Sequence, residues 1–210
     1  MKISEMIYNS VSKYVNGSAN INGHVGVTTA LGCLRRAYFS ATRGEPLFLP
    51  KINMILFLGR AVHESVESAL LDCYGDEHDI AVEVPVDDGV LKGVADMIID
   101  DTIIEIKTVS TDLPRAVDKN HLMQLQAYLY MTGMDYGKVV YISRADGSIE
   151  EFDVKRNKES EKAYEYLRKR AEELLFHLSI GEPPPVERGK CFMCPFYYEC
   201  FKKSQSQSLI

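Results

Sequence analysis

The sequence lacks any stretch long enough to cross a membrane: no apolar run exceeds five residues, as at Met54–Leu58, where a helical span needs about 20. It also lacks the opening of an exported chain. Residues 1–11 alternate apolar with polar positions and form no continuous apolar segment of the signal-peptide kind, so a cytoplasmic protein is expected. Positive charge is not in surplus. Thirty acidic residues against 24 basic ones give a net charge of −6. That excludes a uniformly basic nucleic-acid binder but leaves room for a local basic groove, since the charge facing the phosphates governs binding. Arg35, Arg36, Arg43, Lys51 and Arg60 lie close in sequence, and Lys202 with Lys203 near the C-terminal end; alone they read as ordinary solvated charges. A phosphate loop is missing too, because the Gly-Lys pairs at 137–138 and 189–190 have no glycine five residues upstream. The chain therefore carries no nucleotide-driven motor of its own. There is no internal repeat, and low complexity is confined to the Ser/Gln tail from Ser204 to Ser208.

What is present is a single globular domain of 210 residues, 46% apolar and 26% charged, long enough to bury a core. Helical patterns are expected over Ser4–Val15, from a cap at Thr28 or Thr29 through Cys33 to Phe39, and from about Lys51 to Tyr74. In the last of these, Ile55, Val62, Val66, Ala69, Leu70 and Cys73 recur at three- and four-residue spacing. Gly75 ends that helix, and strands follow at Ile80–Val86, Val90–Ile99 and Thr102–Val109, separated by turns at Asp87-Asp88-Gly89 and Asp100-Asp101. Next come a helix from about Asp118 to Met131, a hairpin of Lys138–Ser143 with Ile149–Val154 around Asp146-Gly147, and a long helix from about Glu159 to Ile180 that stops at Gly181. Pro183-Pro184-Pro185 is a stiff strut.

The informative segment runs from Gly93-Val94-Ala95-Asp96 to Glu105-Ile106-Lys107. With Asp100 and Asp101 as the two turn residues, Asp96 falls directly opposite Glu105, and alternation puts Lys107 on the face of Glu105. Opposed carboxylates destabilise a sheet unless something neutralises them. A divalent cation does so, because Mg²⁺ or Mn²⁺ takes hard oxygen ligands together with substrate phosphate. Lys107 would then act on the attacking water or on charge growing at the phosphate, as metal-assisted phosphodiester hydrolysis requires. A lone Glu-X-Lys is common by chance; with Asp96 in register, and with Ile104 and Ile106 on the opposite face, it marks a site. Gly59, His63 and Glu67, spaced by four, share one helix face. Gly59 would allow close backbone approach and Glu67 could orient the His63 ring. Gln124 and Tyr128 are a second four-spaced pair, for which a plain core role competes.

Five cysteines without a secretion signal point to metal or chemistry rather than disulfides. Cys191-X2-Cys194-X5-Cys200 supplies three thiolates and Cys33 is the natural fourth, with the proline strut leading the C-terminus back to the N-terminal helix. On spacing alone either a zinc ion or an iron–sulfur cluster suits them. Cys73, on an apolar helix face, is expected in the core.

Taken in order, Gly59-X3-His63-X3-Glu67, Gly93-X2-Asp96, Glu105-X-Lys107 and Gln124-X3-Tyr128 resemble the RecB-like branch of the PD-(D/E)XK nucleases. The bracket of one cysteine before these motifs and three after them is similar to the CRISPR-associated exonucleases of the fourth Cas family and, less closely, to iron–sulfur nuclease domains of helicase-nucleases. The resemblance implies an α/β (α+β), restriction-endonuclease-like fold, a mixed central sheet flanked by helices. It implies one RecB-like domain over 1–210, with an iron–sulfur cap from about 28–45 and 183–203 joining the N- and C-terminal segments. It further implies Mn²⁺ or Mg²⁺ held by His63, Asp96, Glu105 and the Ile106 carbonyl, a catalytic Lys107, and support of substrate by Gln124 and Tyr128. Cys33, Cys191, Cys194 and Cys200 would hold a [4Fe-4S] cluster, with [2Fe-2S] as the variant. The implied activity is exonucleolytic hydrolysis of single-stranded DNA ends, 5′ to 3′, in partnership with Cas integrase proteins during spacer acquisition. A related nuclease of repair or recombination and a non-catalytic DNA-end-binding module are the competing readings.

Overall fold

Two aspartate turns fold three consecutive apolar segments into a meander. β2 (Ile80–Asp87), β3 (Leu91–Ile99) and β4 (Thr102–Val109) pair antiparallel in sequence. At the first turn Asp87 Oδ1 accepts the Gly89 N–H, and Asp88 Oδ1 accepts those of Val90 and Leu91. At the second, Asp100 adopts φ 52°. From β4 the chain crosses through α5 (Lys119–Thr132) to β5 (Tyr136–Ser143), which lies parallel to β4 along its whole length; a parallel neighbour requires such a crossover. The Asp146-Gly147 turn, with Gly147 at φ 76°, returns β6 (Ile149–Lys155) antiparallel to β5. A two-residue strand, β1 (Val25–Gly26), completes a six-stranded mixed sheet in the order β1-β3-β4-β5-β6, with β2 also on β3. The sequence pattern gave no sign of β1, which is too short to show a period.

Helices cover both faces of this mixed sheet, as expected. The computed structural model describes residues 2–15, 21, 23–44, 50–187, 191 and 194–201; Lys202, Lys203 and the Ser/Gln tail lie outside them, as do parts of the segments expected to form the cap. The main core joins Leu91, Ala95, Ile103, Val139 and Tyr141 of the sheet to α2 (Val27–Leu31), α3 (Leu34–Arg43), α5 and α6 (Lys158–Ile180). Asp118 caps α5, Asn157 and Ser160 form a capping box on α6, and glycines at φ 77° and 70° close the two helices. On the opposite face Met97, Ile104 and Ile106 pack under Val66 and Leu70 of α4 (Pro50–Tyr74). α1 (Ile3–Val15) lies on the first half of α4, where Asn53 donates to Ser12 Oγ at 2.9 Å in a buried contact.

Two expectations need correction. The helix thought to run unbroken through Cys33 is two helices parted at Gly32-Cys33, with Cys33 the N-cap of α3, while Thr28 and Thr29 lie inside α2 rather than capping it. The apolar stripe of α4 is only half-buried at Val62, Val66 and Leu70, and Ala69 is exposed. Ile55 is exposed where Asn53 instead faces α1, and Cys73 is exposed on the last turn of α4 with Leu71 and Tyr74. Among the described residues no helix is long and apolar enough to cross a membrane.

Candidate metal and catalytic site

The site begins as a break in strand pairing. β2 runs along β3 over Lys92–Ile99, so the other edge of β3 is shared: β1 meets Leu91 and Lys92, and β4 meets Met97 to Ile99. Between them, residues 93–96 face no strand among the described residues. Those four residues are Gly93-Val94-Ala95-Asp96, the stretch singled out in the sequence. Continuing the β3–β4 register by one step places Asp96 opposite Glu105, as expected, but no ladder forms there. Instead Asp96 Oδ2 accepts the Ile106 N–H at 2.7 Å. In a strand the N–H and C=O of one residue leave on the same edge, so the Ile106 carbonyl faces this gap as well.

Side-chain alternation also breaks at Asp96. Leu91 and Ala95 face the main core, whereas Met97, two residues on, faces α4. Across β2 the same break falls at Glu83, a non-glycine residue at φ 50° between the pairs Val82–Met97 and Val84–Ala95. Such conformations persist where the surroundings enforce them and cluster at functional sites. The break turns Asp96 sideways, where its Oδ2 also lies 3.6 Å from His63 Nδ1.

His63, Glu67 and Asp96 each offer one donor atom, and these atoms lie within 4.8 Å of one another. Glu67 is buried, and its Oε1 has no hydrogen-bond partner; the same holds for Oε2 of Glu105, which is 1% exposed. Unpaired buried carboxylate oxygens are costly, and a cation is what such a donor set fits. Burial raises the Glu67 pKa, and the charges of Glu83 and Asp96 raise it further, against His63. Burial pushes Glu105 up to about 7; Lys107 opposes this and Asp96 adds to it. Lys107 Nζ donates to Glu105 Oε1, which also accepts from Gln124 Nε2 at 2.7 Å.

The structure thus brings together His63, Asp96, Glu105, Ile106, Lys107, Gln124 and Tyr128. Gln124 and Tyr128 are buried, and what they touch is the site itself: Gln124 holds Glu105, while the Tyr128 ring lies against Gly93, where a Cβ would come within 2.4 Å of its hydroxyl oxygen. The glycine that close approach demands is therefore Gly93. A Cβ on Gly59 would meet only Thr108 Oγ1, at an ordinary 3.4 Å. Sequence reasoning gave Glu67 only an orienting part and passed over Glu83, whose special conformation has no residue-type signature.

The basic residues that lie close in sequence take separate partners. Arg35 donates to the Pro184 carbonyl at 2.6 Å, Arg43 lies over the Phe39 ring, and Arg60 pairs with Glu64. The C-terminal segment does return to the N-terminal helices. Phe196 packs on Phe39 at 5.6 Å between ring centroids, and Arg170 binds the carbonyls of Ala30 and Gly32 as well as Glu187. Cys200 bonds to Arg35 and lies within electrostatic range of Cys194 and Cys33; burial is the main reason its pKa is raised. Cys191 Sγ lies 3.8 Å from the Glu187 carbonyl. Among the described residues the sulfurs do not gather, three together, within the spacing reached by His63, Glu67 and Asp96.

A mixed sheet that parts around carboxylates, with a lysine beside them and a histidine above, defines a metal-dependent nuclease. The chain belongs to the PD-(D/E)XK nuclease superfamily, whose family profile matches residues 56–200. Its fold is similar to the crystal structure of SSO0001, with TM-score 0.66 and 22% identity over 96% of this chain and 97% of that one. It is also similar to an alkaline exonuclease from Laribacter hongkongensis, with TM-score 0.54 and 11% identity over 82% and 95%. No curated protein matches the sequence.

Proposed function

We propose that this nuclease is a Mn²⁺- or Mg²⁺-dependent exonuclease that trims single-stranded DNA ends, 5′ to 3′, during spacer acquisition with Cas integrase proteins. The observation that carries the metal-dependent activity is the meeting of the His63, Glu67 and Asp96 donor atoms, with an unpartnered buried oxygen on Glu67 and another on Glu105, which lies within electrostatic reach of Asp96 and His63. His63, Asp96 and Glu105, with the Ile106 carbonyl and with Glu67 added, would hold the cation. When bound, a divalent cation polarises the phosphate and lowers the pKa of water. Lys107, on the same strand face as Glu105, offers an ammonium to the phosphate oxygens. Gln124 fixes the Glu105 rotamer and so acts on the reaction by positioning. Exonucleolytic action is supported by the fold likeness to an alkaline exonuclease; the pathway is supported only by the order of motifs and the cysteine bracket.

The same reading assigns an iron–sulfur cluster, [4Fe-4S] rather than [2Fe-2S], to Cys33, Cys191, Cys194 and Cys200. A tetrahedral zinc with bonds of about 2.3 Å would require its thiolates to crowd closely, whereas a cluster spreads them. The docking of the C-terminal segment beside α3 supports this assignment.

The test is digestion of end-labelled single-stranded DNA by anaerobically purified protein with each divalent metal. Glu105→Ala and Lys107→Ala should abolish cleavage, by about a thousandfold or more, while the visible absorbance of the cluster survives. Retained cleavage in either variant would sink the assignment of the site. Colourless protein with stoichiometric zinc would overturn the cluster and leave the nuclease standing. A gene neighbourhood without spacer-acquisition genes would favour repair or recombination.

A further inference from the structure

Beside Lys107 lies a histidine that the motifs leave out. His121 is on α5, one turn before Gln124, and half-buried. Its Nδ1 lies 2.8 Å from the hydroxyl of Tyr141, and Tyr141 is the direct partner of Lys107 in the parallel β4–β5 ladder. Paired residues in a ladder project on the same face, so the imidazole, the phenol and the ammonium stand together at the end of the sheet where β4 and β5 finish. The field of Lys107 reaches both His121 and Tyr141.

The hydrogen bonds fix the tautomer. The Tyr141 oxygen already accepts the Asp118 backbone N–H at 3.0 Å. Tyr141 is 2% exposed, and a buried hydroxyl proton needs an acceptor; His121 Nδ1 is within reach to serve. The ring proton therefore resides on Nε2, the nitrogen left available for substrate. Burial and the neighbouring ammonium, against Asp118, lower the His121 pKa and so favour the neutral ring.

We infer that His121 is a DNA-phosphate ligand of this site, its Nε2–H donating to a backbone phosphate oxygen that Lys107 also faces, with Tyr141 holding the ring in the required tautomer. This rests on the nuclease reading of the site. A neutral donor suits the position, since it binds an anion without adding a second full charge beside Lys107.

The measurements are fluorescence anisotropy of labelled single-stranded DNA in Ca²⁺, steady-state cleavage in Mn²⁺, and the ¹⁵N shifts of His121 in the unliganded protein. His121→Leu should weaken binding about tenfold, the worth of a hydrogen bond to a charged group, mainly through KM rather than kcat. His121→Gln, which restores an N–H donor, should recover most of the affinity, and Tyr141→Phe should fall between. The wild-type ¹⁵N shifts should report Nε2–H. A folded His121→Leu that binds and cleaves like wild type would overturn the inference, and so would an Nδ1–H tautomer, which decides the matter even if the leucine variant fails to fold. A wild-type protein that neither binds nor cuts DNA would instead remove the nuclease reading itself.

Discussion

Glu105 is caught between opposing demands. Its carboxylate must be ionised to hold a cation, yet it is 1% exposed and burial pushes its pKa from 4.5 up to about 7, Lys107 and Asp96 pulling in opposite directions. A folded-state value above the unfolded one means that the folded protein binds the extra proton. The contribution to stability is complete below pH 4.5 and is lost as the pH rises through about 7. The metal-free protein should therefore lose stability relative to Glu105→Gln as the pH is raised across that window. Mn²⁺ should cancel the loss in the wild type, because a cation favours the ionised carboxylate, and should do little for the glutamine variant. Thermal melts of both proteins at several pH values, with and without Mn²⁺, read this directly. A constant difference between the two melting temperatures from pH 4.5 to above 7 would show that Glu105 titrates as an ordinary carboxyl.

Strand β3 is where local rules and tertiary structure part company. Gly93 gives its side-chain space to Tyr128: a Cβ would stand 2.4 Å from the hydroxyl oxygen and 2.6 Å from a ring carbon. Gly93→Ala must therefore displace the ring, at a cost of about 1–3 kcal/mol, and should slow cleavage by disturbing Gln124 and Glu105 behind it. Tyr128→Phe should not relieve the clash, since the ring carbon remains, whereas Tyr128→Ala should. Gly93→Ala should thus cost little in a Tyr128→Ala background, a non-additivity that chemical denaturation can measure. The bounds of β4 and the register that sets Asp96 level with Glu105 were legible because a two-residue turn is a local rule, whereas the break in alternation that turns Asp96 sideways was not. The sharing of one edge of β3 by β1 and β4 was not legible, because it depends on a strand of two residues. Nor was the φ of 50° at Glu83, which no residue pattern marks. His121 was hidden for another reason: its partner Tyr141 is 20 residues away and joins it only after the crossover has formed.

One arginine ties the ends of the molecule to its middle. Arg170 of α6 donates to the carbonyl of Ala30 at 2.6 Å and to that of Gly32, the residue before Cys33, and it reaches Glu187 at 3.1 Å. Glu187 is four residues before Cys191, whose sulfur meets the Glu187 carbonyl. The same guanidinium therefore sets the position of the N-terminal cysteine and of the segment that delivers the other three. Its planar fork suits this task in a way that a lysine would not. Arg170→Met keeps much of the side-chain volume but leaves both carbonyls without their donor, and should destabilise the protein by about 2–3 kcal/mol. The loosening should be local: amide exchange should speed up in α7 (Tyr197–Phe201), iron held by the proposed cluster should fall after anaerobic purification, and Mn²⁺ binding at the proposed His63, Glu67 and Asp96 site should persist. Equal loss of iron and Mn²⁺ binding would mean that the cysteine segment and the nuclease site fold as one cooperative unit. Loss of iron alone would mean that the segment is an independently fastened closure.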